Sequence, residues 1–210
     1  MNPLLLVDSD ILILLSGAEL LDRVIELLGF THERVRRLSA LPHMLRSSKK
    51  LKQKFPEDFR LKVAGQVELI PSITERPSDE HLQCLSGIDG VDDGEAILFS
   101  ILAENAGSLL VSGDLRSIRA LAKSSQAEGI RNKIHNRVHC LETIVRLLIE
   151  ADGVGSISQR FVPVRGYNAQ LRIFFSDTLQ TDQSQCLAGI DSYLQSIILN
   201  DGVDFLCRSK

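Results

Sequence analysis

Six carboxylates fall where apolar stretches give way to turns. Asp8 and Asp10 follow Leu4–Val7, Asp92, Asp93 and Glu95 precede an apolar run from Ala96, and Asp114 follows Leu109–Ser112. Carboxylates a few ångströms apart raise one another's pKa, so a cluster of three or four stays ionised only with a cation among them. Hard divalent ions such as Mg²⁺ or Mn²⁺ take carboxylate and water oxygens. An ion held that way activates a water and neutralises a phosphoryl oxygen, which is what phosphodiester hydrolysis requires. Asp8 carries most of this argument, because a carboxylate between an apolar strand and an apolar helix is costly unless paired or metal-bound. Asp114 shares it. Asp93 stands where a helix N-cap belongs and Glu95 lies in a first helical turn, positions that capping and the helix dipole also explain.

The elements that must position these groups alternate. Leu4–Val7 reads as a buried strand, followed by one helix from Ile11 to Leu28 that stops at Gly29. Two helices are expected next, one to about Leu45 and one over Ser48–Phe55, with Pro42 and Pro56 as kinks or boundaries. Val67–Ile70 reads as a short strand closed by Pro71, and Glu80–Leu85 as one or two helical turns. A helix over Asp93–Glu104, a strand over Ser108–Ser112 and a helix over Leu115–Ala127 follow. A strand at Val138–Cys140 and a helix at Leu141–Ala151 complete the pattern. Alternating strands and helices predict an α/β fold, a mainly parallel sheet between helices in three layers, α/β/α. Working residues in such sheets gather at the carboxyl ends of the strands, where Asp8 and Asp114 sit. From Gly153, with Gly155 a hinge, residues 153–210 read as a helical appendage with helices near Ala169–Phe175 and Gln183–Ile198. Residues 1–152 form the main domain of this reading.

Composition narrows the class. The 210 residues are 44% hydrophobic and 24% charged, enough to bury a core and too apolar for a disordered chain. The longest apolar runs are broken by Asp8 and Asp10 and fall far short of the ~20 residues of a membrane span. With no basic leader and cleavage site, a cytoplasmic protein is expected. Cys84, Cys140, Cys186 and Cys207 form no CxxC pair, which argues for ordinary reduced thiols over a zinc ribbon or disulfide framework. The net charge of −3 conceals an asymmetry: residues 31–62 hold ten basic and three acidic residues, +7, leaving −10 for the remainder. A basic segment beside an acidic body can hold a polyanion, although a solvated helical face is the plainer account of a charge run.

Three stretches together resemble PIN domains. Leu4-Leu-Leu-Val-Asp-Ser-Asp-Ile-Leu12 is similar to the family's opening strand and Asp-[Ser/Thr]-polar motif. Gly90-Val-Asp-Asp-Gly-Glu-Ala-Ile97 resembles the Gly-Glu-Ala form of its middle acidic motif, and Leu109-Leu-Val-Ser-Gly-Asp-Leu-Arg-Ser-Ile-Arg119 its third motif. The resemblance spans residues 1–151 and implies a PIN-like fold and a Mg²⁺- or Mn²⁺-dependent endoribonuclease. It implies Asp8, Glu95 and Asp114 as metal ligands, Asp93 as a catalytic neighbour that substitutes for or assists Glu95, and Ser9 and Ser112 as orienting groups. Asp10, where the family more often has Asn or Ser, is a further supporting residue. The basic segment 31–62 becomes a helical arm that holds an RNA backbone or packs on a partner protein, with Arg46, Lys49, Lys50, Lys52 and Arg116 as RNA-binding candidates and Arg119 near the same mouth. RNA is the implied partner, with an antitoxin-like protein and a second copy of the chain as further candidates.

Other readings compete. A PIN-like domain with incomplete carboxylates binds RNA or protein without cutting. Asp8 and Asp10 also fit the Asp-x-Asp opening of haloacid-dehalogenase-like phosphatases, with Asp8 as nucleophile and Asp10 as general acid. That reading lacks a later paired-Asp strand and a placed lysine. His135 and His139 have a zinc-like spacing but no third ligand, so surface histidines are expected.

Overall fold

Leu5, Leu6 and Val7 point to alternate faces of a strand, and none is more than 2% exposed, so both faces of the sheet they belong to are covered. The structure, a computed structural model, describes residues 2–175 and 182–207. Its sheet comprises β1 (Leu5–Val7), β2 (Val35–Arg36), β3 (Leu109–Ser112) and β4 (Val138–Cys140). The order is β2-β1-β3-β4 and every neighbouring pair is parallel. All four carboxyl ends therefore lie along one edge, with Val7 beside Val111 and Ser112 beside Cys140.

Thirteen α-helices are described around this sheet. In chain order they are α1 (Ser9–Gly17), α2 (Leu21–Leu27), α3 (Leu41–Ser47), α4 (Lys49–Lys54), α5 (Glu57–Glu68), α6 (Asp79–Ser86) and α7 (Asp93–Glu104). After β3 come α8 (Leu115–Lys123) and α9 (Glu128–Ile134), and after β4 come α10 (Leu141–Asp152), α11 (Val154–Arg165), α12 (Ala169–Phe174) and α13 (Gln183–Asp201). The fold is mixed α/β, a central parallel sheet flanked by helices, with further helices after residue 153. Val154, Ile157, Phe161, Ile190 and Ile197 of those helices belong to the same hydrophobic core as Leu5 and Leu6. Gly153, at φ +82°, supplies the left-handed backbone that turns α10 into α11. Among the described residues no helix is long and apolar enough to cross a membrane.

Both outer edges of the sheet are closed. Arg37 bridges to Ser72 beyond β2, and Val138 bridges to Leu206 beyond β4, where the Cys207 N–H donates to the Val138 carbonyl at 2.8 Å. Val203, Phe205 and Leu206 are buried there.

Several local expectations are corrected. The single helix from Ile11 to Leu28 is two, separated at Glu19, whose φ of +56° lets the Leu20 N–H reach back to the Leu15 carbonyl. Gly17 ends α1, but apolar residues continue across the break. Val67–Ile70 covers the last residues of α5 and the turn after it, not a strand, and Val63, Ala64 and Val67 lie on the helix's buried face. The helix expected over Leu115–Ala127 ends at Lys123, followed by a 3₁₀ turn and α9. His135 caps α9 while His139 lies in β4, so they share no helix face.

Candidate active site

Asp8 and Asp114 each end a central strand and begin a helix. The Asp8 N–H donates to the Val111 carbonyl at 2.9 Å, which carries the β1–β3 ladder one residue past β1 and fixes Asp8 beside the end of β3. Its carboxylate caps α1 by accepting from the Ser9 N–H at 2.6 Å. Asp114 caps α8, with Oδ1 accepting from the N–H groups of Arg116 and Ser117 at 2.7 and 3.4 Å. The buried Ser112 hydroxyl accepts from the Asp114 N–H at 3.3 Å, so Ser112 holds the turn that aims Asp114.

Glu95 approaches from α7. The N-cap of that helix is Asp92, not Asp93: Asp92 Oδ1 accepts from the Glu95 N–H at 2.9 Å, and Glu95 Oε2 accepts from the Asp92 N–H at 2.8 Å. This reciprocal capping box was visible in the sequence as Asp-x-x-Glu. Glu95 is buried at 7% exposure, and Ser117 of α8 lies near enough to oppose its raised pKa, while the Ser117 N–H donates to Asp114 Oδ1 at 3.4 Å and its hydroxyl donates to the Asp114 carbonyl at 2.9 Å. Ser117 and Asp92 are the contributors that motif reading missed. Asp93 is exposed, with no hydrogen bond or ion pair among the described residues. Gly94 leaves room for Leu38, whose Cδ1 would lie 2.9 Å from an added Cβ, so the start of the basic arm closes over the N-terminus of α7.

The electrostatics follow from these placements. Burial, then the neighbouring charge of Asp10 and, less strongly, Asp114, push Asp8 up to about 6. Burial raises Glu95 as well, with Asp92 and Asp114 adding to the shift. Burial acts on Asp114 in the same direction, but the Arg116 guanidinium outweighs it and holds Asp114 below the usual carboxylate range. Arg116 Nη2 lies 2.6 Å from Asp114 Oδ2, and Nε lies 3.3 Å from Oδ1. Asp8, Glu95 and Asp114 thus act on one another through Asp114, with three helix N-termini turned toward them.

Among the described residues no group of three or more His, Cys, Asp or Glu side chains is placed so that it could hold a metal ion. The donor set nonetheless suits a hard ion: all are carboxylate oxygens, two of them with raised proton affinity. Mg²⁺ ordinarily takes one or two carboxylates and keeps several waters. Compared with models of protein families, with curated proteins and with solved structures, the chain matches none.

The basic arm divides in two. Arg37 and Arg60 are buried and act structurally: Arg37 Nε donates to the Val67 carbonyl at 2.7 Å, and Arg60 Nη1 to the Leu45 carbonyl at 2.7 Å, both near helix C-termini. Arg46 pairs with Glu68 at 2.5 Å. Lys49, Lys50 and Lys52 of α4 are exposed and make no ion pair among the described residues, while α4 packs on α3 and α5. Arg119 is turned to Asp201 of α13 at 2.6 Å, away from the role at the mouth expected for it.

One further acid was not anticipated. Glu142, in the first turn of α10 just beyond β4, is 1% exposed, and neither carboxyl oxygen has a hydrogen-bond partner among the described residues. Burial raises its pKa.

Proposed function

We propose that the chain is a PIN-like, Mg²⁺- or Mn²⁺-dependent endoribonuclease. The observation that carries this reading is the adjacency of Asp8 and Asp114 at the ends of neighbouring parallel strands, with the buried Glu95 near enough to feel the Asp114 charge. Asp8, Asp114 and Glu95 would hold the ion, which when bound supplies charge neutralisation at phosphate and an activated water. The protein's own part is positional. The Asp8 and Asp114 caps fix both carboxylates to rigid strand ends, Ser112 and Ser117 orient Asp114, and Asp92 holds Glu95 through the capping box. Arg116 at the rim and Lys49, Lys50 and Lys52 on α4 supply positive charge for an RNA backbone. Asp10 supports the site only electrostatically, by making Asp8 harder to ionise. RNA is the partner in this reading, in the cytoplasm, with an antitoxin-like protein or a second copy as regulator.

A specific observation favours a second reading, a PIN-like module that binds RNA without cutting. Arg116 already occupies Asp114, and Glu95 is committed to a cap. One experiment separates the two. A mixed structured and single-stranded RNA pool is incubated with Mn²⁺, Mg²⁺ or EDTA and wild type, Asp8→Asn or Asp114→Asn. Metal-dependent cutting lost in both variants supports the nuclease. Intact RNA that is still bound by all three proteins replaces it with the binding module. A Lys49/Lys50/Lys52→Ala triple variant should lower the salt dependence of RNA affinity in either case.

A further inference from the structure

Among the described residues Arg116 is the cation paired with Asp114. The Arg116 side chain engages both oxygens of Asp114, at 3.3 and 2.6 Å. The contact is built by local chain geometry. The Arg116 N–H donates to Oδ1 as part of the α8 cap, and the guanidinium folds back over the same carboxylate. Glu95 and Asp92 also act on Arg116, so its charge is shared across the α7 and α8 termini. Yet the side chain is 80% exposed, in contrast to Asp114 at 22%. Among the described residues the guanidinium's hydrogen bonds all go to the Asp114 carboxylate.

We propose that Arg116 is an internal counter-ion that competes with the divalent cation for Asp114. In the ion-free protein it neutralises the cluster, and it leaves Asp114 when an ion binds. The inference rests on the metal-site reading above and adds a regulatory step to it. The freed guanidinium remains tethered two residues from Asp114, where a phosphodiester can take it. Anything that draws Arg116 off Asp114 therefore favours ion binding, and by linkage ion binding frees Arg116 for phosphate. RNA and the divalent ion would then bind with positive coupling even without touching one another. Arg116 is a positioning residue in this scheme, acting through Asp114.

The test is titration of Mn²⁺, followed calorimetrically, into the full chain without RNA. The proteins are wild type, Arg116→Ala, Arg116→Lys, Asp114→Asn and Arg119→Ala. Arg119→Ala removes the same charge from the same helix at a residue paired with Asp201 instead of Asp114. Arg116→Ala should bind Mn²⁺ about threefold to fivefold more tightly than wild type, in keeping with loss of an exposed ion pair. Arg116→Lys should fall between them, Arg119→Ala should match wild type, and Asp114→Asn should lose the gain. In thermal melts, the ion-free Arg116→Ala protein should unfold at lower temperature and gain more from Mn²⁺. Equal Mn²⁺ affinity in wild type and Arg116→Ala overturns the counter-ion role and leaves the metal site standing. Equal tightening in Arg119→Ala also overturns it, since general repulsion would then account for the effect. Absence of Mn²⁺ binding in every protein overturns the metal-site reading and this inference with it.

Discussion

The same construction, a strand that ends and a helix that begins, is used at β1 and β3 for Asp8 and Asp114 and at β4 for Glu142, with opposite electrostatic outcomes. At the central strands the acids lie near one another and near Glu95, partly open to solvent, with Arg116 at their rim. At β4 the acid is sealed at 1% exposure, with the buried Cys140 thiol as its polar neighbour. A sealed carboxyl meets its desolvation cost by keeping its proton. A cluster open on one side can be relieved by a cation instead. Burial raises the pKa at both places, but only one place has the company and the access that favour binding an ion. A raised pKa is thus no guide to function without the geometry around it.

The largest effect expected from this contrast is on RNA cleavage. Asp114→Asn should reduce the Mn²⁺-dependent rate by at least about a hundredfold, the scale seen when one stabilising group is removed from a catalytic site. Glu142→Gln should cut at the wild-type rate. Equal losses in the two variants would erase the distinction between the regions.

Next in size is the stability of the ion-free protein. Asp8 binds its proton more tightly folded than unfolded, so its contribution is full below the unfolded pKa near 4 and is lost as pH rises through about 6. The wild type should lose up to about 3 kcal/mol across that window from this group. Asp8→Asn keeps a good N-cap residue and should lose less, which urea melts at pH 4 and pH 7.5 can resolve. A parallel pH dependence in wild type and variant would refute the assignment.

Glu142→Gln sharpens the comparison from the other side. The raised pKa of Glu142 again means stability present at low pH and lost as pH rises through its folded value. The neutral isostere should make the protein more stable at alkaline pH, because it removes the cost of ionising a buried carboxyl. No gain in melts at pH 9 would mean that the carboxyl is relieved by some other group.

A thermal shift locates the ion. Mn²⁺ at about a hundredfold over its dissociation constant should stabilise wild type by about 2.7 kcal/mol, a few degrees for a chain of this length. Glu142→Gln should shift equally and Asp114→Asn hardly at all. A Mn²⁺ shift that vanished in Glu142→Gln would move the ion to the wrong region.

What could be read in the sequence follows the same physics. Asp8 and Asp114 were legible because an apolar run ending in a carboxylate marks a strand end in a parallel sheet. Glu95 was legible as an acid in a first turn, and its partner Asp92 was legible in hindsight from the Asp-x-x-Glu spacing. β2 was hidden because two residues, Val35 and Arg36, carry no periodicity and are held only by pairing with β1. α5 was misread at its end because Val67–Ile70 is too short and apolar to tell helix from strand. Charge counting placed Arg37 and Arg60 with the arm's solvent-facing cations, whereas both spend their hydrogen bonds on carbonyls inside the fold. Glu142 gave no warning, since a glutamate at the start of a helix is ordinary until its surroundings are known.

The closed edges of the sheet have a temporal side. Val138 gains its outer neighbour only from Leu206, 68 positions later in the chain. At roughly 5–20 residues per second, ribosomal synthesis reaches Leu206 roughly 3–14 s after Val138, and β4 lacks that cover at least until then. A bare parallel edge invites strand pairing with other chains. The nascent protein therefore passes through an interval of vulnerability on the ribosome that the finished molecule no longer displays, and slow codons between α10 and Leu206 would prolong it.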